Sequence, residues 1–482
     1  NSEELLDLLK KQRRLIVYST GAYGWYSDPK ARPTPKTVNT LDHKFAESDL
    51  ARYLNIFEGL KIAKGGLKSI EVVGGEGQNR FLIKCVFPEK LAEMALGYSK
   101  IMRPPSPEER KEIKKIFYQI MAPGYEIEVA QAIKNGVNLM QGGNYIGMPK
   151  KSGFTLWLDY VNNVLGGFGM HGGFKKITLK TSGGKEKNYA IIIIGDSGHG
   201  KSTLSFSDYG ISDLTTLFGG DDMVAIIPNG NGFRVVGLET LGLYLKVVGI
   251  SALNEPFTYE GAMGSDVILE NVPTDNKGNP RFETESKAIL GTTNHRAVVP
   301  LRHFTRGFPP ALDIELDDNT ELIIMLLTRA PEHPGIVMHE NPEYATAFFG
   351  ALPSEVTSAI KADAVEGETR LTCGADEFTP GPKSDKLLRL YEVLKKLGPK
   401  AKVISVNTGK WYKLEETEIL IKLFLEENIE WGELKAFPGR KFAKDSRMKF
   451  DDRFCSHFGE LSVRQKAKLR EIGATKEVIE VL

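Results

Sequence analysis

Apolar and polar positions alternate between two periods along this chain. Leucines at helical spacing in EELLDLLKKQRR (residues 3–14) predict an amphipathic helix, and LIVYST after it fits a short strand. Two strand-like runs, SIEVVGG and RFLIKCVF, flank GEGQN, whose Gly and Asn predict a turn. PEKLAEMALGYSKIM and then RPPSPEERKEIKKIF predict two helices, the second with prolines and acids at its start as capping favours. Ile191 to Ile194 form an unbroken β-branched run that fits a buried parallel strand, as does VISVNTG further on. EYATAFF and PSEVTSAIKA read as helices and LTCGADEF as a short strand with a loop. SDKLLRLYEVLKKLG and EETEILIKLFLEENIEW read as amphipathic helices, and the segment from Arg440 on as a small helical tail. NKGNP predicts a hairpin turn. The pattern is α/β throughout.

Composition changes this picture little. In 482 residues, 41% are hydrophobic, 26% are charged and the formal net charge is +1, as expected of a globular protein with no polybasic nucleic-acid surface. Cys85, Cys373 and Cys455 are far apart and lack the spacing of a zinc site or a disulfide framework, which fits a reducing compartment. No apolar run is long enough to span a bilayer and the charged start has no signal-peptide core, so a cytoplasmic protein is expected.

The chemistry gathers around YAIIIIGDSGHGKSTLS. A buried strand breaks at Gly195 into a glycine loop, and GxxxxGKS is a phosphate-binding pattern. Gly195, Ser197, Gly198, His199, Gly200, Lys201, Ser202 and Thr203 would surround phosphate oxygens. Backbone N–H groups would turn inward, Lys201 would supply a point charge, and the Ser202 hydroxyl would reach a divalent metal. Downstream, Asp221 and Asp222 at the mouth of a strand suit a metal-holding acidic position. His171, between glycine pairs in GMHGG, is either structural or a metal ligand. Lys150 and Lys151 read on their own as solvated surface, and Arg296 as a residue of a polar loop. GAYGWYSDPKARPTPKT (residues 21–37) is either a substrate loop or a surface loop with packed tyrosines.

In order, these segments resemble the phosphoenolpyruvate carboxykinases. Tyr145 with MPKKSGFTLW resembles that family's YxGExKKGxF, GMHGG its MHCSAN, GDSGHGKST its GxSGTGKTT and FGGDDMV its IGDDEH. LYLKVVGIS, VILENV, TTNHRAVVP, TCGADEFTPGP and VISVNTG are similar to CYAKTIxLS, LENV, TENTRxxYP, ACFGAPF and LVNTGW. The resemblance implies an α/β, phosphoenolpyruvate-carboxykinase-like fold: a mixed α/β N-terminal substrate domain (1–165), a C-terminal domain (166–482) carrying the P-loop and metal site, and the active site in the cleft between them. It implies Mn²⁺ or Mg²⁺ on Lys151, His171 and Asp222, and a second metal at Ser202. Lys150, Lys201 and Arg296 would then surround the transferring phosphoryl group, and Tyr145 would lie against a small carboxylate. The lysine pair is thereby reassigned from solvent to catalysis.

Three positions depart from the family pattern. In STGAYGWYSDPK, Tyr26 stands where TGRSPKDK has its arginine, leaving Arg32 or Arg80 to bind a carboxylate. Met223 and Val224 replace the Glu and His after the aspartate pair, and the loop after Asn407, Thr408 and Gly409 is shortened. The departures lead to the expectation of a kinase for a small hydroxyl-bearing carboxylate or amino acid, L-serine for example, with ATP or pyrophosphate as donor. Asp221, Asp222 or Asp28 would be its base. A divergent carboxykinase is the alternative, and a non-catalytic phosphate-binding regulator the lesser one.

Overall fold

The structure is a computed structural model, and it describes residues 2–27, 38–40, 58, 60–61, 66–124, 127–180, 184–196, 198–283, 294–304, 311–330, 333–356, 367–375, 379–409, 412–433, 439–444 and 452–482. Asp28, Arg32, Ser197 and most of the loop after Ser27 lie outside the described residues.

The chain forms two compact units, Asn1–Asp159 with Leu238–Pro310, and Tyr160–Gly237 with Ala311–Leu482. Where the sequence leads to a single boundary at 165, the contacts return residues 238–310 to the N-terminal unit.

The second unit is built on an eight-stranded mixed sheet. In spatial order its strands are Leu214–Gly220, Gly173–Lys180, Glu186–Ile194, Thr320–Thr328, Ala401–Asn407, Ile336–His339, Arg440–Ala443 and Trp431–Glu433. The isoleucine strand Glu186–Ile194 runs parallel to Thr320–Thr328 on one side and antiparallel to Gly173–Lys180 on the other, so only half of its surroundings are those of a parallel strand. Ile191 to Ile194 are fully buried because opposite faces of the strand meet two different hydrophobic clusters. Ile192 and Ile194 pack with Phe168, Phe348 and Leu390, whereas Ile191 and Ile193 pack with Leu204, Tyr209 and Ile421. A four-stranded sheet carries Phe168–His171 beside Met223–Asn229 and pairs His171 with Met223.

In the first unit a six-stranded sheet contains the expected pair Leu67–Gly74 and Phe81–Pro88, and a five-stranded sheet contains Tyr23–Trp25, Ile268–Glu270, Arg296–Pro300 and Gly242–Lys246. Tyr23–Trp25 lies parallel to Ile268–Glu270 at very close approach. A Cβ on Gly24 would sit 2.2 Å from the Leu269 carbonyl oxygen, so only glycine fits. Ser106 caps the helix Pro107–Glu112 reciprocally with Glu109.

Three elements differ from expectation. The segment from Arg440 opens not as a helical tail but as the strand Arg440–Ala443, paired with Ile336–His339 and Trp431–Glu433, and its helix begins at Asp452. PSEVTSAIKA does not begin as a helix: Leu352–Glu355 is a strand paired with Thr369–Thr372, and residues 357–362 lie outside the described set. Pro353 leaves no N–H for a ladder, which a two-stranded edge tolerates. Arg296 opens a strand rather than sitting on a polar loop.

Candidate functional site

In the second unit the isoleucine strand ends at Ile194, and the chain turns through the glycine loop into the short helix Lys201–Ser205. Gly200 caps that helix at φ +86°, a left-handed conformation that glycine adopts without strain. The loop is tied from behind. Asp196 accepts hydrogen bonds from the Ser354 hydroxyl and, at 3.0 Å, from Arg370. Thr408 donates to the His199 carbonyl at 2.9 Å. The buried ring of His199 lies 3.1 Å from the Glu355 carbonyl, and burial holds its pKa below the ordinary histidine value. His199 thus braces the loop through its ring, while Lys201, Ser202 and Thr203 remain partly exposed.

From the helix start, two side chains reach polar groups on neighbouring segments. Ser202 donates to Asp221 at 3.1 Å, and Lys201 Nζ lies 3.2 Å from His171 Nε2. His171 Nε2 in turn lies 2.7 Å from Asp222 Oδ1, and Nδ1 lies 3.3 Å from the Ala375 carbonyl. A carbonyl can only accept, so an Nδ1 proton satisfies that contact and leaves the Nε2 lone pair facing a carboxylate. In that tautomer the 2.7 Å contact needs a cation beside it, supplied by Lys201 or by a metal ion; in the other, an Nε2 proton donates to Asp222 directly. An imidazole nitrogen and a carboxylate oxygen, with the other ring nitrogen fixed by a backbone carbonyl, fit a divalent ion. Among the described residues no group of three or more His, Cys, Asp and Glu side chains that could hold a metal ion assembles.

The first unit gathers a second group. Lys150 and Lys151 lie on the helix Gly147–Asn163. Lys150 is 1% exposed and ion-paired to the equally buried Glu239 at 2.7 Å. The solvated-surface reading is therefore wrong for Lys150, whose ammonium also lies 5.4 Å from the Tyr244 ring centroid. Tyr145 packs edge-on to Tyr244 at 5.9 Å, and the Arg296 guanidinium lies 5.8 Å from the same ring. Glu270 sits opposite Arg296 in the strand register, accepts from the Ile146 N–H at 3.0 Å, and takes the Tyr244 hydroxyl as a donor. Burial pushes the Glu270 carboxyl up to about 7 against these hydrogen bonds, and burial also raises the Tyr244 phenol.

Tyr26 follows the strand Tyr23–Trp25 and is 39% exposed; the next residue, Ser27, is locked by Asn271, which accepts its N–H at 2.7 Å. Arg80 is engaged with Glu109 at 2.6 Å, Glu112 at 3.5 Å and the Gly77 carbonyl at 2.7 Å, so the structure places it in the support of the capped helix. Arg103 completes that cluster and, with Arg80, holds the Glu109 carboxyl well below the usual carboxylate range.

Sequence reasoning missed Glu239, Tyr244 and Glu270. The signal for two of them was present, since LYLKVVGIS and VILENV carry Tyr244 and Glu270. Glu239 had none, because nothing in VGLETLG announces a partner 89 residues upstream.

The mixed sheet with a glycine loop following one of its inner strands defines a protein of the α/β class. A family model described as phosphoenolpyruvate carboxykinase matches residues 72–440. The chain belongs to the phosphoenolpyruvate carboxykinase family, an enzyme family. It is similar to proteins named phosphoenolpyruvate carboxykinase (ATP). The one from Aeropyrum pernix is 25% identical over 77% of this chain and 72% of its own length. The one from Rhizobium rhizogenes is 28% identical over 66% of this chain and 56% of its own length. The one from Agrobacterium fabrum is 29% identical over 59% and 48%. The alignments thus span between about half and three quarters of these relatives. Among the described residues no helix is long and apolar enough to cross a membrane.

Proposed function

We propose that this chain interconverts oxaloacetate and phosphoenolpyruvate with ATP as phosphoryl donor. The family match over residues 72–440 carries this reading, because it takes in every motif from Tyr145 to Gly409. Loss of the carboxyl group of oxaloacetate as CO₂ leaves the enolate of pyruvate. Its oxygen then bonds to the terminal phosphorus of ATP as the bond to the ADP oxygen breaks. The glycine loop, Lys201 and Thr203 hold the donor phosphates. His171, Asp222 and Lys151 would hold Mn²⁺ or Mg²⁺, with Ser202 at a second ion on the donor; such ions neutralise charge on transferring phosphate oxygens. A lysine ligand coordinates only as the neutral amine. Lys150 and Arg296 offset charge on the equatorial oxygens, and Glu239 fixes the Lys150 ammonium. Tyr145 lies against the carboxylate substrate.

The relatives compared are all named as carboxykinases, which ranks the expected L-serine-type kinase second. Two observations still favour that second reading. Tyr26, a neutral side chain, stands at the arginine position, and the shortened loop after Gly409 fits a donor without a base, such as pyrophosphate. One assay separates them: purified protein with Mn²⁺ and Mg²⁺, given ATP or pyrophosphate, against oxaloacetate and against L-serine and hydroxy acids. Phosphoenolpyruvate formed from oxaloacetate is the expected result. Phosphoserine or a phosphorylated hydroxy acid, without phosphoenolpyruvate, would overturn the carboxykinase reading.

A further inference from the structure

Lys175 belongs to none of the motifs above and is fully buried, an expensive place for an ammonium unless its hydrogen bonds are met. It lies on the strand Gly173–Lys180, opposite Ile191 on one side and Phe218 on the other. Its Nζ donates to the Leu204 carbonyl at 2.8 Å and to the Ser207 carbonyl at 2.5 Å, and it sits 3.9 Å from the centroid of the Tyr209 ring. Those carbonyls belong to the end of the helix Lys201–Ser205 and the turn after it, where an α-helix runs out of intrahelical donors. With five residues, this helix has too few internal hydrogen bonds to hold itself in register. Its first two residues, Lys201 and Ser202, are the ones that reach His171 and Asp221.

We infer that Lys175 is a positioning residue, a clamp on the C-terminal carbonyls of the helix Lys201–Ser205 that sets where Lys201 and Ser202 stand. The clamp is dry and, with Lys175 protonated, charge-assisted, so it then resists sliding of the helix along its axis more than a neutral donor would. The charged groups that face it are Asp208, in the turn after the helix, and Glu418, on the helix Leu414–Leu425. Both favour the ammonium, and burial opposes them and lowers the amine to about 7. The consequence for ATP rests on the proposed reading that the loop holds donor phosphates; the clamp itself does not.

The test compares the full chain with K175M, which keeps the stem and removes the donor, and K175R, which keeps charged donors. Hydrogen exchange in peptides covering 199–210 is followed beside peptides covering the strand Glu186–Ile194, and Mg·ATP affinity is measured by calorimetry. In K175M, exchange is expected to rise at least ten-fold in 199–210 and to stay near wild type in the strand. Mg·ATP affinity is expected to fall at least ten-fold, with K175R recovering part of both. Exchange in 199–210 within two-fold of wild type, or an equal rise in the strand, would overturn the clamp. If the wild-type chain binds no Mg·ATP, the donor reading fails, and the exchange comparison still decides the clamp. Should K175M not fold, K175Q, with a neutral donor, takes its place under the same criteria.

Discussion

Asp222 and His171 make the sharpest case at the scale of single residues. An Nε2 and an Oδ1 held 2.7 Å apart, with Lys201 beside them, form a small cation-seeking unit. Asp222→Asn removes the charge and keeps the shape, so Mn²⁺ affinity measured by calorimetry or electron paramagnetic resonance is expected to drop ten-fold or more. Unchanged Mn²⁺ binding in that variant would place the ion elsewhere. Glu270 offers a test that needs no substrate. Its buried carboxyl has a folded pKa of about 7 against an ordinary 4.5, so the folded state keeps a proton that the unfolded state releases within that window. Stability from this group is complete below about pH 4.5 and declines as pH rises towards 7, by a few kcal/mol at most. Glu270→Gln should flatten that part of the profile in urea unfolding at pH 5, 6, 7 and 8. A slope unchanged in the variant would mean that Glu270 is ionised in the folded state throughout.

At the scale of elements, the glycine loop is held more by what lies behind it than by its own pattern. GDSGHGKST foretold a turn and phosphate chemistry, yet the ties from Asp196 to Ser354 and Arg370, and from His199 to Thr408 and Glu355, come from segments more than 150 residues away. Gly200→Ala puts a Cβ on a residue at φ +86° with open space around it, so the cost is conformational, about 1 kcal/mol, with no clash. A lowered melting temperature and weaker Mg·ATP binding are expected together. Gly24→Ala differs in kind. Its Cβ would meet the Leu269 carbonyl, so the pairing of Tyr23–Trp25 with Ile268–Glu270 must open, and a larger loss, of several kcal/mol, is expected in denaturant unfolding. If the two alanine variants lose the same amount, the close approach at Gly24 is not what fixes that strand.

Taken whole, the molecule shows why some expectations held and others did not. Local periodicity gave the isoleucine strand, the helices Lys383–Leu397 and Leu414–Leu425, and the strand pair flanking residue 77, because each presents a local apolar pattern and the helices also satisfy their own backbone. It misjudged Leu352–Glu355, whose state depends on pairing with Thr369–Thr372, and it placed Lys150 in solvent, because a lysine pair is ordinarily hydrated unless a partner such as Glu239 is folded against it. The two units predict unfolding that is not a single two-state step, and saturating Mg·ATP should stabilise the unit containing the glycine loop, by about 2.7 kcal/mol at a hundred times Kd. Calorimetry with and without Mg·ATP would show one component moving; a single transition that shifts as a whole would indicate that the units unfold together.

By itself the sequence determined the α/β class, the strand–loop–helix unit at Ile194–Lys201 and the family, since these rest on short-range periodicity, turn chemistry and collinear motifs. Tertiary structure alone decided that residues 238–310 join the N-terminal unit, that Glu239 answers Lys150, and that Lys175 holds the end of the helix bearing Lys201 and Ser202. Each of these depends on groups far apart in the chain meeting out of water, where an unpaired charge is too costly to keep.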